Sequence, residues 1–152
     1  EVRPHYPSST EYFDRAYGPR GWSKGVTLNM AIGQGENAQT LVNMMRFYAA
    51  LAGDGTASAP YLVHPDAGVD RDLGLSPAQL LGLRRALELV VDQGTASASR
   101  SSDLEVAGKT GTAQNSHGKD HGWFIGFAPA DHPAIIVGSI MEFAGHGTNV
   151  AP

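Results

Sequence analysis

Residues 106–114 read Val-Ala-Gly-Lys-Thr-Gly-Thr-Ala-Gln, and the reading of this stretch decides the fold. It reads as an extended segment that places a lysine between small residues. In an extended chain residues two apart share a face, so Thr110 and Thr112 point the same way. Lys109, one of three lysines in the chain, supplies a compact charge beside the two hydroxyls. Gly111 removes the side chain that would hold a ligand off the backbone. This is the composition of a wall that receives an anionic substrate. An isolated Lys-Thr-Gly is also compatible with an edge strand whose lysine is merely solvated. A phosphate-binding loop is a third reading, since Gly108-Lys109-Thr110 supplies Gly-Lys-Thr. That motif requires a glycine where Asp103 stands and a helix after the lysine, which Gly111 and the polar residues beyond it oppose.

Outward from this segment the last third of the chain keeps an extended pattern. Strands are expected over 104–114, 122–128 and 134–143, in one antiparallel sheet with the first strand at an exposed edge. Pro129-Ala130-Asp131-His132-Pro133 is a hairpin-length connection between the second and third. Ile135, Ile136, Val137, Ile140 and Met141 form an almost continuous apolar run, as in a strand covered on both faces. Upstream the period is helical. Leu41, Met44, Met45, Tyr48 and Leu51 mark a helix over 40–52, with Gly53 at its end. Ser76 caps a second helix, with Pro77 at its first position and Gln79 completing a capping box. Leu80, Leu83, Leu87, Val90 and Val91 form its apolar stripe, and Gly94 stops it. Residues 54–75 read as a loop with a possible strand at 61–63. Residues 1–25, rich in Pro, Gly and aromatics, read as an ordered irregular excursion. Val26 to Ile32 read as a short extended segment, and 145–152 as the opening of a further helix.

The 152 residues suffice for one domain with a core, and 41% hydrophobic content fits a globular chain. No run approaches the roughly 18 apolar residues that would cross a bilayer. No signal peptide is visible, and the first residue is not Met, which leaves room for an anchor upstream. Net charge is −4 without blocks of like charge, which argues against nucleic acid as a partner. The absence of cysteine removes disulfide and thiol chemistry.

Other candidate sites are weaker. His117 and His121 stand four apart around Asp120, a metal-ligand spacing only on a helix, and the surrounding Gly-containing polar residues predict a surface loop. Ser116-His117-Gly118-Lys119 matches Ser-x-x-Lys, but a nucleophile of that kind opens a buried helix, and Ser116 falls in a hydrophilic hairpin loop. Met44, Met45 and Phe47 are read as core packing. His5, His64, His132 and His146 have no evident partner, and neither Ser-x-Asn nor Tyr-x-Asn occurs.

Four stretches together resemble the C-terminal part of the transpeptidase domain of class B penicillin-binding proteins, of the type that builds the side wall during elongation. They are Trp-Ser-Lys-Gly-Val-Thr-Leu-Asn-Met-Ala-Ile-Gly-Gln-Gly at 22–35, the helix at 40–51, the segment 106–114, and Gly-Trp-Phe-Ile-Gly-Phe-Ala-Pro at 122–129. Ile-Gly-Gln-Gly followed by a Met-containing helix is far more specific than Lys-Thr-Gly, and the likeness spans essentially the whole chain. The resemblance implies an α/β fold of the α+β type, an antiparallel sheet flanked by helices as in penicillin-binding proteins and serine β-lactamases. It implies a serine acyl-transfer enzyme that cross-links peptidoglycan stem peptides and is acylated by β-lactams, with no cofactor and no metal.

By the same resemblance Lys109 lines the active site, and Thr110, Gly111 and Thr112 bind substrate. The Thr110 and Thr112 hydroxyls hold its carboxylate, and the Thr112 N–H is half of the oxyanion hole. The nucleophilic Ser, its Lys and the Ser-x-Asn motif are expected upstream of Glu1, and a final helix beyond Pro152. Residues 1–152 are thus expected to be the C-terminal portion of one domain, inactive without the missing N-terminal part. A membrane helix upstream, an extracytoplasmic location in the envelope and a membrane glycosyltransferase partner are further implications. A β-lactam-binding sensor domain or a serine β-lactamase are the alternatives, which the upstream sequence would separate.

Overall fold

The computed structural model describes residues 9–63 and 70–150, and the chain divides into two units, residues 1–40 and 41–152. In the first unit, α1 (Thr10–Tyr17) starts at Ser9, whose side chain accepts the Tyr12 N–H at 3.4 Å. Glu11 in its first turn and Arg15 in its last complement the helix dipole. The second helix, α2 (Lys24–Ala31), starts at Ser23, which accepts the Gly25 N–H at 3.2 Å. Phe13 is buried between aromatic neighbours, stacked on Trp22 at a centroid distance of 5.0 Å and met edge-on by Tyr12 at 5.3 Å. Trp22 Nε1–H donates to Asp14 at 2.8 Å, and the Tyr12 and Tyr17 hydroxyls both donate to the Glu36 carboxylate.

Two expectations are corrected here. The stretch read as an irregular excursion contains α1, and residues 26–32, read as extended, belong largely to α2. The β-branched Val26, Thr27 and Ile32 suggested a strand, but a cap at Ser23 and a stop at Gly33 bound a two-turn helix. Gly33 has φ +78°, a conformation that Gly adopts without a Cβ penalty.

The second unit begins with α3 (Leu41–Ala52), whose last turn is fully buried at Ala50, Leu51 and Ala52. Two very short strands follow, β1 (Thr56–Ala57) and β2 (Arg71–Asp72), paired antiparallel with Thr56 opposite Asp72. The extended segment expected at 61–63 is not a strand, and its three side chains stand exposed. His5 and His64 lie outside the described residues. Arg84 closes the C-terminal end of α3, its Nε donating to the Leu51 carbonyl at 2.7 Å and its terminal nitrogen to the Gly53 carbonyl. Arg46 donates twice to the Ala57 carbonyl, at 3.0 and 2.7 Å.

Helix α4 (Pro77–Asp92) has the predicted capping box in full, with Ser76 accepting from the Gln79 backbone and Gln79 from the Ser76 backbone. Leu80 and Val91 of its apolar stripe are buried, whereas Leu83 is exposed, so the stripe is narrower than its spacing suggested.

The expected sheet is present as β3 (Ala107–Ala113), β4 (His121–Ala128) and β5 (Ile135–Met141), antiparallel in that order, with β3 at one edge. Residues directly opposite share a face. Lys109, Ile125 and Gly138 therefore lie on one face, and Thr110, Phe124 and Ser139 on the other. The side chains of Leu41 and Met45 pack against Gly138, which places α3 on the Lys109 face. There Phe127, 1% exposed, joins Ala52, Ala107 and Ala130, with Leu87 of α4 alongside. On the opposite face Phe124 meets Val91, Ala96 and Val150.

One feature of β5 departs from expectation. Its apolar run is covered on one face only among the described residues, and Ile135, Val137 and Met141 remain 58%, 50% and 49% exposed. The reason is positional, since α3 lies on the face of Ile136 and Gly138.

Phe127→Ala is expected to cost about 3–5 kcal/mol, the range for deleting a fully buried aromatic ring. Ser76→Ala, which removes only the cap, is expected to cost about 1 kcal/mol, with most of it recovered in Ser76→Asp. Denaturant unfolding of both variants checks the ranking.

Candidate functional site

The Lys-Thr-Gly segment sits at the centre of β3, where the strand's alternation separates its functional groups. Lys109 is exposed on the α3 side of the sheet, and its ammonium donates to the Thr110 carbonyl at 2.7 Å. Thr110 faces the other way and is only 7% exposed, with its hydroxyl oxygen 2.7 Å from that of Thr95. Thr112, on the same face as Thr110, accepts the Gly147 N–H at 2.9 Å. Thr110 and Thr112 thus share a face, as the extended reading required, and a substrate that meets Lys109 and both hydroxyls must lie along the strand's edge.

Close backbone approach explains the two glycines around Thr112. At Gly111 an added Cβ would stand 3.3 Å from the Cβ of Trp123, its partner across the ladder. At Gly147 an added Cβ would fall 2.0 Å from the Gly111 carbonyl oxygen and 2.7 Å from its carbon. The single 3₁₀ turn Gly147–Asn149, where the sequence suggested the start of a helix, therefore rests on the backbone of the Lys-Thr-Gly strand itself. Val150, immediately after it, covers Gly122 of β4.

Sequence reasoning did not single out Thr95 or Gly147 for this site. Thr95 follows the Gly that ends α4, and Gly147 stands among the glycines near the chain's end. Neither has a spacing relation to Lys109, and only the tertiary fold brings them to β3. The reading of Ser116 as a surface residue agrees with its position. It is exposed in the β3–β4 connection, its hydroxyl 3.0 Å from Nδ1 of the adjacent His117. His121 is not in that loop but opens β4, where its Nδ1 accepts the Phe143 N–H at 3.1 Å and its ring meets Phe143 edge-on. His117 is likewise exposed and shares no partner with it. Among the described residues no group of three or more His, Asp or Glu is placed to hold a metal ion.

The chain matches the family model described as the penicillin binding protein transpeptidase domain over residues 9–151. It is 31% identical to the peptidoglycan D,D-transpeptidase MrdA of Acinetobacter baumannii over 163 aligned positions, covering 86% of this chain and 23% of that protein. Among solved structures, penicillin-binding protein 2 of Helicobacter pylori, in its complex with MreC, superposes with a TM-score of 0.77 at 27% identity. That match covers 92% of this chain and 28% of the other. The imipenem acyl-enzyme complex of penicillin-binding protein A from Mycobacterium tuberculosis gives a TM-score of 0.67 at 26% identity, covering 81% and 30%. The chain spans about a quarter of the length of the curated relatives it matches. The helix-flanked antiparallel sheet, the Lys-Thr-Gly strand at its edge and a family match over nearly all residues lead to one assignment: the chain belongs to the penicillin-binding protein transpeptidase domain family.

Proposed function

We propose that this chain is the C-terminal portion of the transpeptidase domain of a class B, elongation-type penicillin-binding protein, which cross-links peptidoglycan stem peptides by serine acyl transfer. The observation that carries the reading is the Lys-Thr-Gly strand: an exposed lysine on an edge strand whose two hydroxyls are held in place from the opposite face. In this reading the nucleophilic serine, its lysine and the Ser-x-Asn motif come from the part of the domain upstream of this chain. The exposed apolar face of β5 is compatible with further cover of that kind.

Each residue then has a role set by its chemistry. A stem peptide ending in D-Ala-D-Ala lies along the edge of β3, where main-chain hydrogen bonds align the scissile carbonyl. Its terminal carboxylate is held by the Thr110 and Thr112 hydroxyls. Lys109 supplies positive potential close to that carboxylate and the nucleophile. The Thr112 N–H forms half of the oxyanion hole and stabilises the charge that develops as the tetrahedral intermediate forms. Collapse of the intermediate expels D-Ala, and an amine of a second stem peptide resolves the acyl-enzyme. A β-lactam with its own carboxylate occupies the same place and acylates the same serine, in keeping with the acyl-enzyme complex seen for the mycobacterial relative.

The proposed location is the extracytoplasmic side of the envelope, with an anchoring helix upstream. A membrane glycosyltransferase is the proposed source of the strands to be cross-linked, and a MreC-like protein a second partner, by analogy with the complex seen for the Helicobacter relative.

The test is labelling of the full-length protein by a fluorescent penicillin. Lys109→Ala is expected to lower the acylation rate on the order of 10²-fold, the usual cost of removing one electrostatic contributor at such a site. Its effect on stability should be about 0.5 kcal/mol or less, since the side chain is exposed. Absence of labelling in the unmodified protein overturns the reading. Unchanged labelling of Lys109→Ala reduces Lys109 to a solvated residue on an edge strand.

A further inference from the structure

We propose that Thr95 is a positioning residue for acyl transfer, acting through Thr110 to fix the hydroxyl that receives the substrate carboxylate. The inference rests on the transpeptidase reading above and goes beyond it by adding a residue outside the Lys-Thr-Gly strand. Thr95 lies in the connection between α4 and β3, after Gly94, and is itself exposed, whereas Ala96 beside it is fully buried. Its hydroxyl oxygen lies 2.7 Å from that of Thr110, a short hydroxyl–hydroxyl hydrogen bond around a residue that is only 7% exposed.

The direction of this bond follows from the ligand. A hydroxyl has one proton to donate and two lone pairs to accept with. An ionised carboxylate is an acceptor only, so Thr110 must give it that single proton. Thr110 then has only lone pairs left for Thr95, and Thr95 must be the donor of the pair. The bond between the two oxygens leaves the other direction open in the free protein, and the anion selects Thr95→Thr110→carboxylate. A chain of donors polarises along its length, so the donation from Thr95 strengthens the one from Thr110 to the anion. It also restricts where the Thr110 proton can point, so less orientational freedom is lost when substrate arrives. Thr95 touches no substrate in this arrangement. Its effect grows with the negative charge of the group that Thr110 holds, because a hydrogen bond to an ionised acceptor is about twice as strong as one to a neutral carbonyl.

That dependence separates positioning from mere structural support. The test compares acylation of the full-length protein by benzylpenicillin, which carries the free carboxylate, with acylation by its methyl ester, which presents no anion. In Thr95→Val, which keeps the shape and removes the hydroxyl, the acylation rate constant for the acid should fall about fivefold, the loss expected for one neutral hydrogen bond in a part-buried pair. The ester rate should fall by no more than about twofold. Thr95→Ser, which restores a donor, should recover the acid rate to within about twofold. The acid-to-ester ratio is read on one preparation, so partial misfolding of a variant cancels from it. An unchanged ratio in Thr95→Val overturns the proposal, whether both rates hold or both fall together. Failure of benzylpenicillin to acylate the unmodified protein overturns the transpeptidase reading itself, and this inference with it.

Discussion

The ring of Phe124 lies across two glycines, and the geometry of the candidate site depends on that contact. An added Cβ at Gly108 would stand 2.8 Å from the ring and 2.9 Å from the Ile125 carbonyl oxygen. One at Gly126 would stand 2.9 Å from the Ala107 carbonyl oxygen and 3.0 Å from the ring. Gly108 and Gly126 are direct partners in the β3–β4 ladder, so the ring covers a bare patch made by both strands. A slip by one residue would drive a side chain into the ring and turn every residue of β3 to the opposite face. Lys109 would then enter the face occupied by Phe124, Val91 and Val150, where a charge without a partner is costly. The two glycines at 108 and 126 thus specify which face of the sheet the neighbouring cation takes.

From this register the rest of the site follows. With Lys109 on the α3 face, Thr110 and Thr112 are turned toward the other, and each meets a group there that is distant in sequence. The end of α4 brings Thr95 to Thr110, and the turn at Gly147 brings a backbone N–H to Thr112. α4 also contributes to both hydrophobic clusters, Leu87 on one face and Val91 on the other. The capping box at Ser76 and Gln79 fixes where this helix starts and hence which residue falls beside β3 at its end.

Much of this was legible in the residues, and the exceptions have physical causes. α4 announced itself by cap, Pro77 and apolar spacing, all local signals, and α3 by its period. The strands of the sheet lay within a few residues of their expected bounds, β4 and β5 because β-branched and aromatic residues are dense there and β3 because its Lys-Thr-Gly motif marked it. The two helices of the first unit escaped notice because each is only eight residues long, and their capping serines stand amid Pro, Gly and aromatic residues that read as loop. β1 and β2 were invisible because two residues cannot display an alternation. Tyr61, Leu62 and Val63 had strand composition, but pairing is decided by a partner strand, and the short ladder formed elsewhere. Of the site, Lys109, Thr110, Gly111 and Thr112 were readable as a motif. Thr95 and Gly147 were not, because a hydroxyl or a glycine acquires meaning here only through what it touches across 15 or 35 residues of chain.

A strand made of Ala, Gly, Lys, Thr, Gly, Thr and Ala is an unlikely choice for rigidity on its own composition. Glycine in a strand loses more freedom on folding than any other residue and packs nothing in return. Yet an acyl-transfer site requires donors held to within a fraction of an ångström. The two requirements are reconciled by supplying order from outside the strand. The Phe124 ring takes the place of a side chain at Gly108, Trp123 packs against the bare Cα of Gly111, the side-chain-free Gly147 rests on the Gly111 backbone, and Thr95 and the Gly147 N–H hold the two hydroxyls. Bulkier residues would stiffen β3 more cheaply but would fill the approach along its edge. The strand stays slender where a ligand must come close, and its neighbours provide the stiffness that its own side chains cannot.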